Sequence, residues 1–140
     1  MSQINIGSVL KGGVAAGVIM NISEFILNLP VAGARMEAEL ASHNLPPVST
    51  AAIATFTFVT LLLGIATVWL YAAIRPRLGP GPKTAMVAGL LVWALSYLYA
   101  SVFFYMLGTQ SMGLVLLGVV WSAVEMIIAS AVGGYLYKEA

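Results

Sequence analysis

Two acidic residues, Glu24 and Glu125, each lie inside a long apolar run. There a carboxyl can hold a proton, balance a cation, or fix helix register through a hydrogen bond. A charge at the centre of a bilayer costs about 2.5–3.5 kcal/mol on insertion scales, so both side chains are expected to face protein. At helical spacing, Asn21 and Asn28 share the face of Glu24, and Gly118, Trp121, Ser122, Ala129 and Val132 share that of Glu125. Other chemistry is scarce. The chain has no cysteine, which excludes disulfides and thiolate metal sites. His43, next to Leu45-Pro46-Pro47, has no identifiable partner and reads as a surface histidine. One histidine cannot supply paired haem ligands. No nucleophile–base pair, metal cluster or cofactor motif is visible, so neither an enzyme nor a cofactor is expected. Gly79 and Gly81 do not make a nucleotide loop, because no strand precedes them and the neighbouring prolines lack amide donors.

The elements that must position these acids follow from composition. Of 140 residues, 61% are hydrophobic and 8% charged, far from the mix of an ordinary soluble domain. A span needs about 20 mostly apolar residues, and four such runs, about 7–29, 49–74, 84–107 and 113–137, fill most of the chain. The expected fold is one all-α domain, a four-helix transmembrane bundle. Lys11 followed by Gly12 to Leu29 loosely resembles a signal peptide, but Asn21, Ser23 and Glu24 interrupt its apolar core, so the run reads as a retained span. It should end at Pro30. Gly13-x-x-x-Gly17-x-x-x-Asn21 allows close helix approach. The loop from Pro30 to Pro47 should carry a short amphipathic surface helix over Ala34 to Ser42.

In the second span, Thr57, Thr60, Gly64, Thr67 and Tyr71 make a weakly polar seam, read as packing rather than a path. Arg75-Pro76-Arg77-Leu78-Gly79-Pro80-Gly81-Pro82-Lys83 should stop both flanking helices. In the third span, Trp93, Tyr97 and Phe104 form an aromatic stripe. Packing is the simpler reading of it, and a flat apolar ligand held by Trp93, Tyr97 and Trp121 the alternative.

Five of the six basic residues, Lys11, Arg75, Arg77, Lys83 and Lys138, fall on the side of the termini. The positive-inside rule therefore predicts both termini in the cytoplasm. At 1.5 Å per residue, Glu24 lies roughly 7–8 Å and Glu125 about 18 Å from the outer helix ends. A gap on the order of 10 Å predicts that they are not direct partners. Asn21, Gly17, Ser96, Thr60 and Thr67 are expected nearer the level of Glu125. Gly17-Val18 before Glu24 and Gly118-Val119 before Glu125 share a spacing, but four spans do not divide into inverted repeats, and the match reads as coincidence.

The run Asn21-Ile22-Ser23-Glu24-Phe25, the segment Trp69-Leu70-Tyr71-Ala72-Ala73-Ile74-Arg75-Pro76-Arg77 and Trp121 to Glu125 resemble small four-span bacterial inner-membrane proteins of no established activity. That resemblance implies fold and inner-membrane location and no activity. Glu24 in a first span is also similar to small multidrug-resistance transporters, but the charge bias and the eighteen-residue outer segment depart from them. The expected role is a non-enzymatic structural or accessory subunit of a membrane complex or homo-oligomer. Its partners would be the bilayer and other membrane subunits or itself, with no basic patch for nucleic acid. The alternatives are a small proton-coupled transporter using Glu24 or Glu125 and a binder of a pigment, quinone or lipid.

Overall fold

A computed structural model describes residues 3–139, and these are helical without strands. Five helices follow one another: α1 (Ile6–Val31), α2 (Gly33–Ser42), α3 (Thr50–Leu78), α4 (Pro82–Met106) and α5 (Met112–Leu136). All but α2 are long and apolar enough to cross a membrane. Their 25 to 29 residues exceed the ~20 needed for a hydrocarbon core of ~30 Å.

Local signals start and stop these helices. Asn5, Ser49 and Ser111 cap α1, α3 and α5, each side chain accepting an amide of the first turn, as short polar residues do at N-caps. Gly79 (φ 85°) ends α3, and Pro82 opens α4 behind Gly81 (φ 127°).

Two expected stops are overrun. Helix α1 passes Pro30 by widening into a π turn over Leu27–Val31, closed by the Ala32 amide on the Leu27 carbonyl at 2.7 Å. Proline cannot donate to the carbonyl four residues back and clashes with it; the wider turn relieves that clash. Helix α3 passes Pro76 to Leu78, because a proline in the last turn removes one bond while Gly79 does the terminating.

The four long helices run antiparallel in the cyclic order α1, α3, α4, α5, with α1 closing against α5. Their inside is made of small residues and their outside of large ones. Gly12, Gly13, Ala16 and Gly17 are buried, whereas Phe56, Phe58 and Leu95 are exposed. This is the expected pattern for helices that associate by close backbone approach in lipid. A Cβ at Gly64 would collide with the Gly13 and Gly17 backbone, and one at Gly12 with the Gly133 carbonyl. Gly89 meets Ser130 and the Met126 carbonyl in the same way. Met20, Val68 and Met126, fully buried, fill the centre.

At the end bearing both chain termini, Tyr137 accepts from the Asn5 amide (3.3 Å) and the Lys138 amide donates to Ser8 (3.2 Å). Arg75 sits over the Tyr137 ring, 5.6 Å from its centroid, and 3.4 Å from Glu139. Toward the Pro30 end, packing thins: α2 and the last turns of α4 contain no buried residue.

Candidate functional site

Glu125 is 4% exposed. It sits on the inner stripe of α5 with Ser122, Met126 and Ala129, as the helical spacing predicts; Val132, expected on that side, is instead exposed. The Tyr97 hydroxyl donates to Glu125 Oε1 at 3.0 Å. Oε2 has no hydrogen-bond partner among the described residues. Glu24 is half-buried, and its Oε2 accepts from Asn28 Nδ2 at 2.8 Å. Asn28 also donates to the Glu24 carbonyl at 2.7 Å, one of the backbone acceptors near the π turn. Glu24 and Tyr97 line the same cleft, with no hydrogen bond between them.

No hydrogen bond joins the two acids directly, yet both lie near Tyr97, Glu125 bonded to its hydroxyl and Glu24 on the same cleft. The physical reason is side-chain direction. Every Cα–Cβ bond leans toward the N-terminus of its helix. Helices α1 and α5 are antiparallel, so Glu24 and Glu125 lean toward each other and close a gap that backbone rise alone leaves open. Trp121 fixes the register: its indole N–H donates to Ser23 Oγ at 2.9 Å, locking the Ser23–Glu24 turn opposite the Trp121–Glu125 turn.

Tyr97 reaches between them because of a second π turn, over Ala94–Leu98, marked by the Tyr99 amide bonding the Ala94 carbonyl. An extra residue in one turn re-aims the side chains there, and such turns often occur at functional sites. Trp93, one turn earlier, donates its N–H to Ser122 Oγ (3.1 Å) and the Val119 carbonyl (3.2 Å). Trp93, Tyr97 and Trp121 are thus each tied by a hydrogen bond to a polar group on α5 or α1.

Several expected neighbours of Glu125 are engaged elsewhere. Asn21 donates to the Gly17 carbonyl and, across the interface, to that of Thr57. Ser96 and Thr67 bond their own preceding turns, to Val92 and Leu63, so the threonine seam supplies packing. Gly17 is packed on Leu61, while Gly118 has open space before it; the shared spacing before the two glutamates serves two different ends.

A cleft of about 150 Å³ reaches this site from the Pro30 end. Glu24, Asn28 and Tyr97 line its inner part, with Gly118, Ser101 and Gln110 among its other walls. Glu125 does not line it and lies behind Tyr97. Helix α2 lies beside the mouth, with Met36 in the lining, and Glu39 Oε2 accepts the Ser111 amide at 3.1 Å. Ser23, Ser101, Gln110 and Met36 were not singled out from the sequence. Ser101, one turn beyond Tyr97, is the one that helical spacing could have found.

Fold and site together define a bundle of four membrane-length helices with two acids near one tyrosine, one of them on a cleft. Comparison with family models, curated proteins and solved structures found no match to this chain.

Proposed function

We propose that this protein is a small proton-coupled membrane transporter, with Glu24 as the acid that exchanges protons with the cleft and Glu125 as the sealed one. The observation that carries this reading is Tyr97 standing between a carboxyl on an open cleft and one that is buried. A tyrosine hydroxyl is at once one donor and an acceptor. When protonated Glu24 passes its proton to the Tyr97 oxygen, Tyr97 passes its own to Glu125 Oε1, and Glu24 is left as carboxylate. The hydroxyl keeps one proton, now turned toward Glu24, and must rotate to face Glu125 before another transfer; one proton has moved inward. By the distribution of basic residues, the termini face the cytoplasm of a bacterial inner membrane, and the cleft then opens outward.

The small-residue faces that favoured an accessory subunit are used inside the chain: Gly13, Gly17 and Gly64 pack on each other and Gly12 on Gly133. The test is proton uptake into vesicles holding the purified protein and an internal pH dye, under an imposed pH step. Wild type should take up protons faster than empty vesicles, and Glu24→Gln and Glu125→Gln should fall to the empty rate. Equal uptake by all three proteins would overturn the proposal.

A further inference from the structure

We infer that helix α2 is a hinged lid over the cleft, latched across its mouth by Glu39, and that it governs the access of water to Glu24; this rests on the transport reading above. Only one stripe of α2 meets the bundle. Gly33, Met36, Glu39 and Leu40 are half-buried, at the spacing of one helical face, while Arg35, Glu37 and the remaining positions are exposed. Within that stripe Met36 forms part of the cleft wall, and Glu39 Oε2 accepts the Ser111 amide at the start of α5. Among the described residues this is the one hydrogen bond that ties α2 to a helix other than α1. Gln110, the residue before Ser111, and Leu114, one turn beyond it, line the cleft too, so the latch joins α2 to the far wall.

Both ends of α2 suit a swing. Ala32, between α1 and α2, departs from helical angles (φ −117°, ψ −6°) and is buried, which makes it a fixed pivot. At the other end Asn44 takes φ 55°, and Leu45 to Ser49 run exposed and without helix or strand. Swinging about Ala32 breaks the Glu39 bond and little packing, since no residue of α2 is buried; moving lids are drawn from such weakly held parts of a fold. The pivot also lies close to the acid. A Cβ at Gly33 would sit 2.9 Å from the Asn28 carbonyl, and the Asn28 amide is the donor that holds Glu24. With α2 down, Met36 covers the way to Glu24; with α2 raised, water and protons reach it. Closure of this kind is how lids sequester a site from water.

The chain has no cysteine, so Ser101→Cys puts a single thiol on the cleft wall, and its rate of reaction with a methanethiosulfonate reagent reads access past α2. Two reagents of similar size are used on the full chain in vesicles, one ending in a sulfonate and one in a trimethylammonium. Adding Glu39→Ala should speed both roughly fivefold, as the loss of a cap at a helix start implies. A faster anionic reagent with a slower cationic one would mean that only a surface charge had gone and would overturn the inference, as would unchanged rates. A second measurement joins Glu39→Cys to Ser111→Cys, in the chain with Ser101 intact, through a short reducible linker. Proton uptake should fall toward the empty-vesicle rate when the two are linked and return on reduction. Undiminished uptake in the linked chain would overturn the lid and leave the transport reading standing. Wild-type uptake no faster than that of empty vesicles would remove that reading, and the thiol rates would still decide whether α2 opens.

Discussion

Tyr97 is bonded to Glu125 and lines the cleft beside Glu24, so its loss has two separable effects. Tyr97→Phe leaves Glu125 without its only aligned partner. Interhelical side-chain bonds in membrane proteins are worth about 0.6 kcal/mol on average and at most about 1.7. Unfolding of Tyr97→Phe in mixed micelles should show a loss within that range. Infrared difference spectra on a pH step should still show the Glu24 carboxyl band, with the Glu125 band no longer responding in step. Ser23→Ala removes the acceptor of the Trp121 N–H and should shift tryptophan emission to shorter wavelength; an unchanged spectrum would mean that this bond does not set the register. At this scale the sequence carried the identities of both acids and their inward faces. It did not carry their approach to one tyrosine, because spacing along a helix reports which face a residue occupies and not how far its side chain leans along the axis.

At the scale of the element, glycine decides how near the helices come. Gly64→Val places atoms against the Gly13 and Gly17 backbone and should lower stability by about 1–3 kcal/mol or more, as overpacking does. Gly118→Ala, with open space before it, should stay within about 0.5 kcal/mol of wild type. Thermal denaturation of the two in the same detergent checks both. Equal losses would mean that the tight α1–α3 contact is not what holds the bundle. The Gly13-x-x-x-Gly17 pattern announced a close contact from sequence alone, but which helix would supply the partner depended on Gly64, a single residue in a threonine seam. The π turns were not legible at all. One extra residue in a turn hardly disturbs an apolar pattern averaged over several turns, and at Pro30 the proline pointed to a stop where the fold uses a wider turn.

The whole molecule is asymmetric along its axis. Four spans and their alternation were plain from hydropathy and turn residues, and the structure agrees within a few residues. The thinner packing toward Pro30 was not, since both ends are equally apolar. Helix α2 has no buried residue, and Glu39 on the Ser111 amide is its hydrogen bond to the start of α5. Glu39→Ala should therefore speed amide exchange in residues 33–42 by roughly fivefold, the measure of a lost cap of about 1 kcal/mol. Exchange in α5 beyond its first turn should not change, and an unaltered α2 would show that it is held by lipid instead. The one-sided cleft also has an electrical consequence in a membrane. Under the proposed transport, water in it would bring the potential of its own side inward to Glu24, and a transmembrane voltage would fall mostly across the packed helices between it and a second cleft at the chain termini. A proton arriving at Glu24 from the mouth crosses little of that voltage. A charge moving from Tyr97 toward the cleft at the chain termini would cross most of it, out of about 2.3 kcal/mol per elementary charge per 100 mV for the full membrane. Entry would answer to pH and onward passage to voltage.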